Sequence, residues 1–302
     1  SGGCTGGMAV KKMESFSVAS GIFMNDMSLL SIVTITFNNF DELLHTVESV
    51  KDLKCCEHLI INGGKCQKTL EFLQSFSGKS ISEPDQGISD AFNKGIKLSQ
   101  GSAVILLNSG DILLDQTYPE KALHILKEHP EVDFVHANEL YDDAMIGEFV
   151  MRPLRKQNNL YPNIGKGMPY RHQTMVVRKT VYEKVGLFDL KYVTSDYDWI
   201  CRWENSCIKI SGSAYYLQGN PVIKMDGGGI SSTQEGKVIL EAIQIIRQYN
   251  KNKRFIEKII SYTALMNRLV LFFGRFLLNT LGFENILVKI KRIKYQTFLA
   301  IK

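Results

Sequence analysis

The sequence predicts an α/β protein: a mostly parallel sheet flanked by helices, followed by a basic, amphipathic helical region. Three observations predict it. Short runs rich in β-branched residues alternate with amphipathic stretches at roughly 25-residue intervals, the rhythm of strand–helix–strand units. Ala103–Leu107 is a short apolar run bounded on both sides, the pattern of a strand buried on both faces. From Gln234 the character changes to long, periodic segments that mix apolar and basic residues.

A chain of 302 residues suits one large domain, or one domain with a helical appendage. Its 44% apolar and 22% charged residues are those of a folded globule. The net charge of +5 is unevenly placed. Arg247–Lys302 holds twelve Lys and Arg against two acids, Glu257 and Glu284, so the body is slightly acidic. That asymmetry points to an anionic partner, membrane or nucleic acid. The six cysteines form no C-x-x-C pair and read as reduced cytoplasmic thiols. Residues 1–28, opening on a Gly- and Ser-rich Ser1–Gly7, read as a flexible leader or an expression remnant. No run of 18 apolar residues occurs, so no membrane-spanning helix is expected.

In chain order, Leu29–Thr36 reads as a buried strand and Asn38-Asn39 as a turn. Asp41 then caps a helix with Leu43, Leu44, Val47 and Val50 on its apolar face. His58–Asn62 is a strand ending in Gly63-Gly64, a pair that allows close backbone approach or a tight turn. Thr69–Phe76 is a helix and Ser80–Ser82 a short strand. Pro84–Gly87 makes a turn, and Ile88, Phe92 and Ile96 recur at helical spacing, with Gly95 interrupting that helix. After Ala103–Leu107 comes an acidic loop, Asn108-Ser109-Gly110-Asp111, at a strand's carboxyl end, where open α/β sheets bind ligands. An ordinary crossover with a solvated turn has the same pattern.

Tyr118–His129 follows as a helix, then strands at Val132–Ala137 and Ile146–Met151 with a polar loop between them. Arg152–Met168 reads as a long irregular loop of functional length. Thr174–Val177 is strand-like, and Thr180–Val185 is a helix closed by Gly186. Tyr192–Glu204 carries Asp196 and Asp198 into a helix with Trp199, Arg202 and Trp203. Ser213–Gln218 is a strand, and Lys224–Thr233, with three glycines, a turn or a flap. Val238–Tyr249 is an amphipathic helix. Phe255–Leu281 and Val288–Lys302 read either as interface-lying helices or as helices packed on protein. The G-x-G-x-x-G dinucleotide fingerprint is absent after the first strand.

Four segments, in order, resemble the inverting, nucleotide-sugar-dependent glycosyltransferases of the family-two type on the GT-A fold. Glu83–Gly95 is close to that family's E-P-D-x-G-x-x-D-A-x-N-K-G signature. His172-Gln173-Thr174, Arg178 and Tyr182–Asp189 resemble a second block, Ser195-Asp196-Tyr197-Asp198 a third, and Gly228-Gly229-Ile230-Ser231 a fourth. The resemblance spans about Leu30 to Ser232. It implies a transferase domain over residues 29–233 and leaves 234–302 as a helical tail. Within the family, the likeness is to transferases that build capsule, O-antigen or exopolysaccharide units.

The resemblance implies the chemistry. A departing nucleoside diphosphate carries charge that a divalent cation, Mn²⁺ or Mg²⁺, and basic groups stabilise. The family's Asp-x-Asp loop appears here as Asn108-Ser109-Gly110-Asp111, leaving Asp111 as the strong metal ligand. Its Asp-Gly-x-Ser-x-Asp loop appears as Asn62-Gly63-Gly64-Lys65-Cys66-Gln67. Recognition of a uridine diphosphate donor then rests on Asn38, Asn62, Asp85 and Asp90. Asp85 serves equally as a turn residue, and Asp90 as a helix-terminal charge. Arg202 pairs with the pyrophosphate or with Asp198. His172, Arg178 and Asp198 fall on the acceptor side. Asp196 is the implied general base, with helix capping as its alternative role. Trp199 and Trp203 share a helix face, as core or as the floor of a sugar site.

The implied function is transfer to a hydroxyl of a lipid-linked glycan, on the inner face of the cytoplasmic membrane, with homo-oligomer formation left open. The altered acidic loops motivate an alternative, an inactive sugar-nucleotide-binding partner protein. A nucleotidyltransferase is a third reading. Nucleic acid as partner is disfavoured, because the basic tail carries no reading motif.

Overall fold

Strand β1 (Leu30–Thr36) is buried along its whole length and pairs in parallel with β2 (Cys56–Asn62) and β4 (Ala103–Asn108). Its side chains alternate between two apolar cores. Leu30 and Ile32 point to one face, Val33 and Ile35 to the other. The computed structural model describes residues 29–153, 168–210, 213–229, 234–249, 255–283, 285–289 and 292. The leader, most of the loop after Arg152, residues 230–233 and most of Val288–Lys302 lie outside the described residues.

The main sheet has seven strands in the order β10-β6-β9-β4-β1-β2-β3. Here β3 is Lys79–Ser82, β6 Val132–His136, β9 Val176–Arg178 and β10 Ser213–Tyr216. All its pairings are parallel except those of β9, which runs antiparallel to both β4 and β6. One face is covered by α3 (Ile88–Leu98), α5 (Lys179–Val185) and α6 (Ser195–Ile210), whose Phe92, Val181 and Trp199 pack on Val33 and Val104. The other face is covered by α1 (Phe40–Val50) and α4 (Tyr118–Glu128), through Val50, Tyr118, Ala122 and Leu126. A helix α2 (Gln67–Ser75) links β2 to β3.

A second sheet, β5-β11-β7-β8, joins β5 (Ile112–Leu113), β11 (Ile223–Asp226), β7 (Glu139–Asp143) and β8 (Gly147–Met151). Two of its strands correct the sequence reading. The polar segment between the strand-like runs is strand β7, because β8 and β11 satisfy its backbone on both sides. The start of the Gly-rich segment is likewise strand β11. Gly227 then turns tightly against β7, its N–H donating to the Asp142 carbonyl at 2.7 Å.

Gly95 also differs from expectation. It does not interrupt α3; it lets α3 lie close on the sheet. A Cβ there would sit 2.1 Å from Val33 Cγ1. At the other end of the chain, α7 (Glu235–Tyr249) packs Ala242, Ile245 and Ile246 against Tyr197 and Cys201 of α6. The last long helix, α8 (Phe255–Thr280), rests on α7, with Phe272 over Gly236 and Arg275 paired with Glu235.

Gly95→Ala tests the close fit. Helix propensity alone would favour alanine by about 1 kcal/mol. Overpacking a filled core costs about 1–3 kcal/mol and wins here, since the obstacle is a buried β-branched residue on the central strand. Urea unfolding should show a net loss of up to about 2 kcal/mol, and the same substitution made in a Val33→Ala background should cost less than it does in the wild-type chain.

Candidate active site

The carboxyl edge of the parallel strands gathers most of the residues that the sequence singled out. Asn38 follows β1 in the left-handed region (φ 57), and its Oδ1 accepts the Lys65 N–H at 2.7 Å. Asn62 ends β2, fully buried. Its amide donates to the Gly64 carbonyl and to Ser82 Oγ, and its Oδ1 accepts the Gly64 N–H. The two glycines are needed for close approach. A Cβ on Gly64 would strike Asn38, and one on Gly63 would fall 1.8 Å from Asp85 Oδ2. Asn38, Asn62 and Asp85 therefore line one small region.

The Glu83–Gly95 motif is mostly consumed in building that region. Asp85 Oδ1 accepts the Gly87 N–H at 2.9 Å, and Asp90 Oδ2 accepts the Gln86 N–H at 3.0 Å. Lys94 bridges Glu83 and Asp90 and donates to the Pro84 carbonyl. Asn93 exchanges two 2.9 Å hydrogen bonds with the backbone of Phe188. Asp90 thus binds the turn to its own helix, and Asp85 is the motif carboxylate that reaches the neighbouring loop.

Asp111 follows β4 and is 3% exposed. Its Oδ2 accepts the backbone N–H and the amide of Asn108, at 2.7 and 3.2 Å. Burial pushes its pKa up to about 8, helped by the charges of Glu139 and Asp226 against those hydrogen bonds. Glu139 opens β7, is 2% exposed, and its Oε2 has no hydrogen-bond partner among the described residues. Burial raises it to about 7, while Arg171 pulls it down. Sequence reading missed Glu139, Arg171 and Asp226 because the second sheet that brings two of them in was not foreseen. No three His, Cys, Asp or Glu side chains among the described residues form a metal-binding cluster. A hard cation fits a thinner protein share, one carboxylate completed by phosphate and water oxygens. Asp111, buried among like charges, has that character.

Asp196 lies in the first turn of α6, half-buried, with Oδ1 accepting the Tyr197 N–H at 2.8 Å. His172 is close enough to feel its charge. Burial lowers the His172 pKa and Asp196 only partly restores it, so the imidazole is neutral at pH 7. Its ring contacts Phe92 and Phe188, each at 5.9 Å.

Other expected site residues have structural partners. Arg202 Nε pairs with Asp198 at 2.8 Å, and its terminal nitrogens donate to the Val185 and Leu187 carbonyls. Asp198, 2% exposed, also accepts the Tyr249 hydroxyl at 3.2 Å. Arg178 is not brought to this edge. Because β9 runs antiparallel, its last residue pairs with Ala103 at the amino end of β4. There its guanidinium donates to the Leu126, His129 and Val132 carbonyls around the end of α4. Trp199 and Trp203 are core, their indoles donating to the Gly186 carbonyl and to Asp133.

Residues 31–186, just over half of the chain, match the family model "Glycosyl transferase family 2". The chain belongs to glycosyl transferase family 2. This glycosyltransferase is 24% identical to an uncharacterized glycosyltransferase of Mycobacterium tuberculosis over 256 residues, 81% of this chain and 93% of the relative. It is also 24% identical to a PGL/p-HBAD biosynthesis glycosyltransferase of Mycobacterium bovis over 227 residues, 71% and 84% of the two chains. Solved structures agree on the GT-A fold. S. aureus TarS 1-349 in complex with UDP-GlcNAc superposes with a TM-score of 0.59 at 13% identity, covering 80% of this chain and 71% of that one. The mannosyltransferase PcManGT from Pyrobaculum calidifontis, in complex with GDP-Man and Mn²⁺, gives 0.56 at 11%, covering 82% and 74%.

The raised pKa of Asp111 makes the metal-free glycosyltransferase pH-sensitive. The folded state holds a proton that the unfolded state releases above about pH 4, so stability falls as pH rises from about 4 to about 8. Asp111→Asn should flatten that slope and stabilise the metal-free protein at pH 7 by on the order of 3 kcal/mol. Thermal melts in chelator across this pH range measure both.

Proposed function

We propose that this glycosyltransferase moves a sugar from a uridine diphosphate sugar to a hydroxyl of a lipid-linked glycan, with inversion, and that Asp196 is the general base. The observation that carries the reading is the seat of Asp196: a half-buried carboxylate in the first turn of α6, beside Asp198, which is itself taken up by Arg202. Direct displacement needs a charged carboxylate within reach of the acceptor hydroxyl. Asp196 takes the hydroxyl proton as the acceptor oxygen bonds to the anomeric carbon, and the bond from that carbon to the diphosphate breaks. Attack opposite the leaving group inverts the centre.

In this reading Asn38, Asn62 and Asp85 shape the nucleoside end of the pocket, with Asp90 holding the turn. His172 stands on the acceptor side, and Asp198 and Arg202 brace the base helix. Asp111 would hold Mn²⁺ or Mg²⁺ together with the donor phosphates, and the ion would stabilise the departing charge. Likeness to structures in complex with UDP-GlcNAc and with GDP-Man and Mn²⁺ supports a nucleoside diphosphate sugar and a divalent ion. The transferase body is proposed as residues 29–233 and the tail as 234–302, with α7 fixing the tail to the body.

Asp196→Asn should fold normally, bind donor normally and lose at least about 100-fold in transfer, the scale of a missing acid–base group. Near-normal turnover at saturating donor would remove Asp196 from the mechanism. Should the wild-type chain bind donor yet transfer nothing to any acceptor, the inactive-partner reading would replace the enzymatic one.

The tail is proposed to hold the enzyme on the anionic inner face of the cytoplasmic membrane. Helix α8 exposes Met266, Val270, Phe273 and Leu277 along one side, with Phe273 62% exposed. No helix among the described residues is long and apolar enough to cross a membrane. An apolar stripe within a cationic segment matches an interfacial helix, each cation contributing about 1 kcal/mol near an anionic surface. Replacing Phe273, Phe276 and Leu277 by Ser should release the protein from anionic vesicles and leave donor binding unchanged. A wild-type chain that ignores such vesicles at low salt and sediments as a dimer would make this face an oligomer contact instead.

A further inference from the structure

Helix α7 has a second attachment to the body besides its apolar face. Glu241 is 6% exposed, and its Oε2 accepts both the Thr194 N–H at 2.9 Å and the Thr194 hydroxyl at 3.0 Å. Thr194 immediately precedes α6, and its carbonyl accepts the first bond of that helix, from the Asp198 N–H at 3.2 Å. The position that starts the helix is therefore held by a carboxylate 47 residues away in sequence. Asp196 is two residues further on. One turn later, Tyr249 at the far end of α7 donates to Asp198.

From the opposite side, Ser89 of α3 meets Ser195 Oγ at 2.6 Å and lies 3.5 Å from the Tyr192 carbonyl. The segment carrying Asp196 is thus gripped between the helix that follows the Glu83–Gly87 turn and the first helix of the tail.

We propose that Glu241 is a positioning residue for transfer: by holding Thr194 it fixes the first turn of α6 and aims the Asp196 carboxylate at the acceptor hydroxyl. Three features set this apart from ordinary packing. Burying a carboxylate is costly unless its acceptor capacity is used, and Glu241 places two hydrogen bonds on the residue that starts the base helix. A negative charge at a helix amino end is favoured by the dipole, so a carboxylate suits the place where Glu241 meets α6. Misplacement of a catalytic group by about 1 Å can cost about 100-fold in rate, so a small relaxation of this turn has a large effect on chemistry and little on donor affinity.

The proposal rests on Asp196 being the base, and the experiment separates the two. Donor affinity, melting temperature and the maximal transfer rate are measured for Glu241→Ala, Glu241→Gln, Asp196→Asn and the double variant Asp196→Asn/Glu241→Ala. Glu241→Ala should lower the rate about 10- to 100-fold while donor affinity stays within about twofold. Glu241→Gln, whose amide oxygen still accepts from Thr194, should recover most of the rate. In the Asp196→Asn background, Glu241→Ala should cost nothing further, because a mispositioned base cannot matter once the base is gone. Independent, multiplicative losses would overturn the proposal, as would equal loss of donor affinity and rate. Full activity of Asp196→Asn would overturn the base assignment itself. If Glu241→Ala does not fold, Thr194→Val, which removes one of the two bonds, takes its place, and an unchanged rate in it would overturn the proposal.

Discussion

The contact on which most else depends is that of Gly95 with Val33. A parallel sheet offers a flat, β-branched surface, and any side chain at position 95 would hold α3 away from it. With no side chain there, α3 lies close and its amino end reaches the carboxyl edge of β1 and β2. From that seat the preceding turn puts Asp85 over Gly63, Asn93 clamps the backbone at Phe188, and Ser89 meets the start of α6. A local steric concession in the core thus sets the distance between the loops that follow β1 and β2 and the start of α6.

Electrostatics then divide the edge into two parts. Around Asp111 the buried carboxylates repel one another and hold on to protons. Around Asp196 the neighbour is a neutral imidazole, and Asp196 is less buried than Asp111. The fold thus gives two like groups different surroundings. The backbone does much of the rest. Asp198 and Arg202 neutralise each other beneath the helix and leave Asp196 as the outward-facing acid of the pair.

Beyond Gln234 the chain divides by exposure. Helix α7 buries one face on α6 and supplies Glu241 and Tyr249 to it, so it is part of the body in physical terms. Helix α8 touches α7 through Phe272 and Arg275 and leaves much of its apolar surface uncovered. Those exposed apolar side chains, among the described residues of α8, are surface available to another phase or another chain.

By itself the sequence determined the strand–helix alternation and the largely parallel sheet, because these follow from local periodicity and from motifs contiguous in the chain. The positions of Asp85, Asp111 and Asp196 after β3, after β4 and at the start of α6 were legible for the same reason. What only the tertiary structure decided involves partners far apart in sequence. The second sheet brings Glu139 and Asp226 to Asp111, although neither segment has a strand pattern strong enough to stand alone. The antiparallel course of β9 carries Arg178 to the opposite edge, a direction that three residues cannot encode. Gly95 reads locally as a helix breaker, and only the surface of Val33 shows it to be a packing device. Glu241 reads as one charge on an amphipathic helix, and only folding places it on Thr194. Local signals fix elements, because backbone preference is short-ranged. Charge environment and helix seating are set by whichever distant side chains the fold brings within a few ångströms.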